Sequence, residues 1–154
     1  MNEQQKTCEQ LIDSRLKDRA NDIKKFMELD DIWEDEAEDL GLFSEYELCF
    51  DYVEANTFDN QDEAYFRYQL SWGGPSDEIN FYRDGRIEYR YKDWFDGAVR
   101  ELDNTEDWVQ WLDDVLFYGD KRSMFEEKEL ESVEELLNMK SKKSTLITEY
   151  GGER

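Results

Sequence analysis

The sequence predicts an α+β fold: a four-stranded antiparallel β-meander at about residues 44–95, with N-terminal and C-terminal helices packed on one face. Three observations predict it. Between Glu63 and Phe95, short aromatic runs alternate with turn residues, as the strands of a meander do. Apolar residues recur at helical spacing before and after this stretch. The predicted helices and strands are segregated along the chain, which is typical of α+β domains.

The length of the chain, 154 residues, fits a single domain with a sizeable core. We predict that this domain covers residues 1–143 and that residues 144–154 form a frayed tail. Aromatic residues make up 15% of the chain, and this content argues against disorder although 39% of the residues are charged.

The first helix is predicted at residues 3–28, where apolar residues recur three or four positions apart and form one stripe. These residues are Cys8, Leu11, Ile12, Leu16, Ala20, Ile23, Phe26 and Met27. We expect the stripe to pack on the sheet; pairing of this helix with a second copy is the alternative.

The next stretch is strongly acidic, because the chain contains no Lys or Arg between Met27 and Phe66. A short second helix is predicted from Asp30 to Leu40, since acids favour the first turn of a helix and apolar residues follow at helical spacing. Its inward residues are Ile32, Trp33, Ala37 and Leu40, and its outward residues are Glu34, Asp35, Glu38 and Asp39. Carboxylates three and four positions apart repel one another, so this outer face favours an external source of positive charge.

The four strands are predicted from residues that alternate between two faces. The inward residues are Tyr46, Leu48, Phe50 and Tyr52 in the first strand, Phe66, Tyr68, Leu70 and Trp72 in the second, Ile79 and Phe81 in the third, and Ile87, Tyr89 and Tyr91 in the fourth. Asp84-Gly85 predicts a tight hairpin turn, because Gly supplies the positive φ that such a turn needs. The open face carries both signs of charge, so we expect ion pairs between strands. The candidate pairs join Arg67 or Arg90 to Glu47 or Asp51.

The residues after the meander predict further helices. A short helix or irregular turn is predicted at Ala98–Leu102. An amphipathic helix follows, and Gly119 ends it. Its apolar face is Trp108, Trp111, Leu112, Val115 and Leu116. Ser123 and Glu126 form a capping box for a last helix. The apolar residues of that helix are Leu130, Val133, Leu136 and Leu137, and its outer face is Glu127, Glu129, Glu131, Glu134 and Glu135.

The sequence gives little basis for catalysis. His is absent, which removes the commonest general base and the commonest zinc ligand. The sequence lacks a nucleophile elbow, a phosphate-binding Gly loop and metal-ligand spacing. We therefore predict a protein that is not an enzyme, with no catalytic residues, no metal site and no cofactor; a glycosidase-like pair of carboxylates is the alternative. The five Trp residues are interpreted as core rather than as a platform for stacking bases.

The two cysteines, Cys8 and Cys49, are predicted to be buried thiols in a reducing compartment, because they form neither a disulfide framework nor a C-x-x-C pair. The polar N-terminus does not resemble a signal peptide. No apolar run approaches the ~20 residues needed to span a membrane. These features predict a cytoplasmic protein that does not bind membranes.

Charge is the strongest functional signal in the sequence. The chain has 41 acids and 19 bases, a formal charge of −22. Duplex DNA carries one charge per roughly 1.7 Å, so this charge equals that of about 37 Å of duplex. Self-repulsion on this scale destabilises a compact protein, and binding to a basic partner would compensate for it. Solubility alone and a halophilic origin are the alternatives.

We predict that the partner is a basic nucleic-acid-binding protein, and that nucleic acid itself is not bound because its charge has the same sign. The candidate partner-binding residues are Asp30, Asp31, Glu34, Asp35, Glu36, Glu38, Asp39, Glu45, Asp59, Asp62, Glu63, Asp113, Asp114, Glu127, Glu131 and Glu134. Binding of this kind is steered by charge and weakened by salt.

The chain resembles the acidic DNA-mimic inhibitors of phages and plasmids, the anti-restriction and anti-CRISPR proteins. The resemblance lies in size, in the absence of His, and in carboxylate density across Asp30–Glu63 and Asp113–Glu135. It is one of general character and carries over no family motif. It implies an inhibitor that presents carboxylates where DNA presents phosphates and blocks a basic groove. An immunity protein that neutralises a basic toxin nuclease is the first alternative, and an assembly or chaperone-like interaction protein is the second. Both a monomer and a homodimer are compatible with the sequence.

Overall fold

The structure is a computed structural model that describes the backbone of residues 6–151 and the side chains of residues 6–142. It has an α+β fold, as predicted. It divides into two compact units, Met1–Leu116 and Phe117–Arg154, where the sequence predicts one domain over residues 1–143. The first unit contains the sheets and the first helix, and the second contains the last long helix.

Two antiparallel sheets form in the described part of the chain. A small sheet pairs β1 (Glu36–Ala37) with β2 (Gly41–Leu42). The main sheet has the order β3-β4-β5-β6-β7, which follows the chain and is therefore a meander. Its strands are β3 (Cys49–Val53), β4 (Tyr65–Ser71), β5 (Ser76–Tyr82), β6 (Ile87–Asp93) and β7 (Asp96–Glu101). The meander thus has one strand more than the four predicted.

The additional strand, β7, lies where the sequence predicts a short helix or irregular turn at Ala98–Leu102, so that prediction is wrong. A two-residue hairpin joins β7 to β6: Asp93 pairs with Asp96, and Trp94 and Phe95 form the turn between them. Trp94 has a left-handed backbone with φ of 56°, a conformation that Gly or Asn usually supplies. Because neither residue type marks this turn, the local pattern did not reveal that a strand follows it.

Two predicted features of the main sheet are confirmed. The Asp84-Gly85 turn joins β5 to β6, with the Gly85 N–H donating to the Tyr82 carbonyl at 3.1 Å and Gly85 at a φ of 96°. Arg67 of β4 pairs with Asp51 of β3 at 2.8 Å, and the two residues are directly opposite in the register. The open face of the sheet therefore neutralises part of its own charge, as expected.

The core lies between the main sheet and α1 (Cys8–Met27), which packs on β6 and β7. The buried residues include Phe66, Tyr68, Leu70, Ile79, Phe81, Ile87, Tyr89 and Tyr91 of the sheet, as predicted, and Cys8, Ile12, Ile23 and Phe26 of α1. Three predicted inward residues of the first unit are exposed instead. Leu48 precedes β3 and is 60% exposed, Trp72 follows β4 and is 76% exposed, and Trp33, predicted to face inward from the second helix, is 46% exposed. Cys49, which was also predicted to be buried, is exposed at the start of an edge strand.

An ion pair joins α1 to the sheet. Arg19 donates two hydrogen bonds to the carboxylate of Asp77 on β5, from Nε at 2.7 Å and from Nη2 at 2.9 Å. The hydroxyl groups of Tyr89 and Ser71 donate to the same carboxylate, whose residue is 4% exposed. Burial alone would raise the pKa of Asp77, but these hydrogen bonds outweigh it and hold the pKa below its usual value. The carboxylate is therefore charged and fully hydrogen-bonded at neutral pH.

The helix predicted from Asp30 to Leu40 is absent, and the chain there forms turns and the small sheet. The Asp35 N–H donates to the Asp31 carbonyl at 2.9 Å, which closes one helical turn that does not continue. Repulsion between carboxylates at helical spacing disfavours further turns. Asp39 and Gly41 then adopt left-handed φ values of 67° and 80°. The carboxylates are thus displayed on irregular backbone and do not share one helical face.

Two helices follow the main sheet. The predicted amphipathic helix is α2 (Asp107–Phe117), which buries Trp108, Val109 and Leu112. The last helix, α3 (Lys121–Gly151), begins earlier than the predicted capping box. Asp120 accepts a hydrogen bond from the Ser123 N–H at 3.2 Å, so Asp120 takes the capping role predicted for Ser123.

The middle and the end of α3 each differ from the prediction. The apolar residues of the middle are exposed by 51–59%, whereas the sequence predicts that this face packs on the fold. They are Leu130, Val133, Leu136 and Leu137. The helix continues to Gly151, through most of the range predicted as a frayed tail, and residues 152–154 lie outside the described part of the chain.

Candidate partner-binding surface

The acidic segment, defined as residues 30–45, presents eight carboxylates, and all of them are exposed. They are Asp30, Asp31, Glu34, Asp35, Glu36, Glu38, Asp39 and Glu45. None of the ion pairs within residues 6–142 involves any of these eight. The segment is therefore a local concentration of negative charge that the described bases do not neutralise.

Aromatic contacts fix the acidic segment to the first unit. The buried ring of Phe43 lies 5.3 Å from the Phe26 ring of α1 and 5.4 Å from the Trp111 ring of α2. The Trp33 ring lies 6.0 Å from the Phe43 ring. The Asp31 carboxylate accepts hydrogen bonds from the N–H groups of Trp33 and Glu34, which holds the first turn in place. The carboxylates thus stand on a backbone that apolar anchors and local hydrogen bonds position.

Polar contacts also hold the end of the acidic segment, where Glu45 leads into Tyr46. The Tyr46 hydroxyl accepts a hydrogen bond from Arg19 Nη1 at 2.9 Å and donates one to Asp22 at 2.7 Å. Burial raises the pKa of Tyr46 and of the half-buried Glu47 beside it. Glu45 is therefore the last exposed carboxylate of the acidic segment, and the two residues after it are half-buried where Tyr46 contacts α1.

Five arginines of the first unit are engaged with carboxylates outside the acidic segment. The pairs are Arg19 with Asp77, Arg67 with Asp51, Arg86 with Glu63 and Glu88, Arg90 with Glu88, and Arg100 with Glu9 and Asp13. Negative charge on the sheet and on α1 is therefore partly balanced, and that on the acidic segment is not.

The predicted residues of the β3–β4 loop lie away from the acidic segment. Asp59 and Asp62 are exposed in this loop, whereas Glu63 forms an ion pair with Arg86 at 3.0 Å. The chain that follows the acidic segment enters β3 at Cys49, and the β3–β4 loop leaves β3 at Val53. A five-residue strand is about 17 Å long, so the structure places the two groups at opposite ends of β3.

The remaining predicted residues lie on α2 and α3. Asp114 is exposed on α2, and Asp113 beside it is half-buried. Glu127, Glu131 and Glu134 are exposed on α3, and Glu131 pairs with Lys128 at 3.4 Å. Because α3 forms the second unit, its carboxylates are a surface of that unit.

Three exposed aromatic side chains form a feature that the sequence interpretation missed, because it placed the Trp residues in the core. Trp72, Trp94 and Phe95 are 76%, 86% and 104% exposed. They occupy the turns that join β4 to β5 and β6 to β7, named the aromatic turns below. A Cβ on Gly74 would lie 3.6 Å from Trp94 Nε1, so the two turns are in contact. The sequence did contain a signal for these turns. Trp72 directly precedes Gly73-Gly74-Pro75, and Trp94 and Phe95 lie between two Asp residues, which favour turns over strands.

The aromatic turns lie at the end of the sheet where the acidic segment is attached. In an antiparallel meander, the start of β3, the end of β4 and the end of β6 meet at one end of the sheet. The Leu48 N–H confirms this placement by donating to the Gln69 carbonyl of β4 at 2.8 Å. Leu48 is itself 60% exposed, so apolar and acidic features meet at this end.

Among the residues with described side chains, no group of three or more Cys, Asp and Glu could hold a metal ion. No described helix is both long enough and apolar enough to cross a membrane. Comparisons with protein-family models, with curated proteins and with solved structures found no match to this chain.

Proposed function

We propose that this protein is a non-enzymatic inhibitory binding protein, a DNA mimic whose carboxylates occupy the basic nucleic-acid-binding groove of a partner. The partner class is a defence nuclease or another DNA-binding protein. The observation that carries the proposal is the acidic segment, whose eight carboxylates are exposed and are not ion-paired with the described bases. A surface with the same sign of charge as nucleic acid attracts the basic proteins that bind nucleic acid and repels nucleic acid itself.

Physical chemistry links this arrangement to a basic partner. The screening length at physiological salt is ~8 Å, so neighbouring carboxylates of the acidic segment still repel one another. A cationic groove would relieve that repulsion on binding. It would also be attracted from a distance, because a concentrated surface charge raises the rate of association with a partner of opposite charge.

The aromatic turns would supply apolar contacts that hold the partner once charge has attracted it. Charge on the rim of an interface mainly affects the rate of association, whereas buried aromatic side chains commonly dominate the binding energy. Trp72 and Trp94 project from the same end of the sheet to which the acidic segment is attached. We therefore expect the acidic segment to steer the partner and the aromatic turns to slow its release.

Affinity capture from a host lysate tests the proposal with two matched variants. The first variant is Glu34→Gln, Glu36→Gln and Glu38→Gln; Asp31 and Asp35 are left unchanged because they accept backbone hydrogen bonds. The control removes the same number of charges from exposed positions outside the acidic segment. It is Asp18→Asn, Glu101→Gln and Asp107→Asn. Capture by the first variant should fall by roughly 10-fold or more relative to the control, which is the scale of electrostatic steering.

The identity of the captured proteins completes this test. We expect nucleic-acid-binding proteins that added duplex DNA displaces and that elute as the salt concentration rises. Equal capture by the two variants would show that the acidic segment is not the binding surface. Captured proteins that neither DNA nor molar salt releases would contradict mimicry of DNA.

A further inference from the structure

The middle of α3 carries an apolar stripe that is exposed. The helix has 31 residues, so it is about 46 Å long. Leu130, Val133 and Leu137 are spaced at i, i+3 and i+7 and lie on one face, with Leu136 on its flank. These four side chains are 51–59% exposed and lie next to one another on the helix. A contiguous exposed apolar patch of this kind marks a surface for association, whereas single exposed apolar residues do not.

The charge of α3 reverses along its length. Residues 126–135 contain six Glu and one Lys, and residues 136–143 contain three Lys and no acid. Glu127 and Glu134 in the first stretch are exposed, as are Lys140 and Lys142 in the second. In a chain with a formal charge of −22, this is an uncommon stretch of positive charge, and it directly adjoins the apolar stripe.

We propose that a second copy of this chain covers the stripe, with the two α3 helices packed antiparallel. An antiparallel pair places the acidic stretch of each helix against the basic stretch of the other, and a parallel pair would place like charges together. The twofold axis then passes close to Leu136, between the two stretches. Leu136 and Leu137 of the two copies meet at this axis, and Leu130 and Val133 of each copy lie against the basic stretch of the other, whose lysine stems can cover them. This inference does not depend on the proposed function, which rests on the acidic segment of the first unit.

Disulfide trapping in the full chain tests the direction of packing. In a Cys49→Ser background, Leu137→Cys would lie close to its own counterpart across the twofold axis. Ser123→Cys would be separated from its counterpart by a rise of about 39 Å along the antiparallel pair. We expect mild oxidation to trap a covalent dimer of the Leu137→Cys variant and none of the Ser123→Cys variant. Equal trapping at both positions would show a parallel pair and overturn the proposal.

Sedimentation equilibrium tests the role of charge and of the stripe. The wild-type chain should give twice its mass of 18.6 kDa at high concentration. Lys140→Glu with Lys142→Glu, and separately Glu127→Lys with Glu134→Lys, should each raise the dissociation constant at least tenfold. An equimolar mixture of these two variants should associate again, because each restores the charge that the other has lost. Because all four positions are exposed, circular dichroism should show an unchanged fold.

Two further outcomes would overturn the inference. A wild-type chain that stays monomeric at all concentrations would show that the stripe is left to another protein or to the rest of this chain. Association that Leu130→Ser with Leu137→Ser does not weaken would show that copies of the chain meet through a different surface.

Discussion

The ion pair between Arg19 and Asp77 provides a measurable test of how burial changes the contribution of an ion pair to folding stability. A second pair, Arg67 with Asp51, has nearly the same geometry and is a natural control. Both arginines donate from Nε and Nη2 to two carboxylate oxygens, at 2.7 and 2.9 Å in the first pair and at 3.1 and 2.8 Å in the second. The side chain of Asp77 is 4% exposed and that of Asp51 is 43% exposed.

We expect Asp77→Asn to destabilise the fold far more than Asp51→Asn. Breaking one partner of a buried ion pair leaves an uncompensated charge and costs about 3–5 kcal/mol. The exposed pair contributes about 1 kcal/mol or less, because water already solvates its charges. For a domain of about 150 residues, each kcal/mol corresponds to roughly 2–4 °C in Tm, so Asp77→Asn should lower the Tm by roughly 6–20 °C.

Urea unfolding followed by circular dichroism measures both variants, and an unchanged slope against urea would show that only stability differs. The pH dependence gives an independent check. The pKa of Asp77 is lowered in the folded state, below its unfolded value of about 3.9. Its contribution is therefore present above that value and is lost as the pH falls through the folded pKa. The difference between wild type and Asp77→Asn should be constant from about pH 7 to pH 5 and should shrink below about pH 4. Equal losses of stability in Asp77→Asn and Asp51→Asn would refute this reasoning.

Two further predictions concern the backbone of Trp94 and the two thiols. Trp94→Gly should stabilise the fold by about 0.5–1 kcal/mol, because the left-handed φ of 56° is strained for a bulky residue and little burial is lost. Phe95→Gly is the control, since Phe95 is also exposed but is not left-handed; a gain in Tm that is no larger for Trp94→Gly would contradict the argument. A thiol reagent should label one cysteine per folded chain, Cys49, and should label Cys8 only after unfolding, because Cys8 is 1% exposed. Burial raises the pKa of Cys49, and Asp51 adds to this, so labelling should accelerate as the pH rises; simultaneous labelling of both thiols would show that the region around α1 opens.

Local chemistry was enough to predict most of the main sheet. The alternating aromatic runs set the faces of β4 and β6, and Asp84-Gly85 set the turn between β5 and β6. The pair of Arg67 with Asp51 is one of the candidate pairs that the charges on the open face predicted. β7 was missed because its turn is formed by Trp94 and Phe95, which lack the Gly or Asn that usually marks a hairpin.

The acidic segment shows why spacing alone can mislead. Ile32, Trp33 and Ala37 match a helical period, but the contacts of Phe43 with Phe26 and Trp111 decide the conformation, and these partners are distant in sequence. The composition of the segment was sufficient to predict that its carboxylates are exposed. Composition was not sufficient to predict which candidate carboxylates outside the segment are ion-paired, because the contact of Glu63 with Arg86 depends on how the β3–β4 loop folds back onto the sheet.

The position of β3 at one edge of the main sheet has a consequence for self-association. An edge strand can pair with a strand of another molecule through its backbone and is a common starting point for fibrils. β3 is short and has the acidic segment at one end and Asp59 and Asp62 beyond the other. An incoming copy of the same edge would bring like charges together at both ends of the strand. Variants that neutralise these carboxylates should therefore be watched for slow β-aggregation at high concentration, even where the native fold is retained.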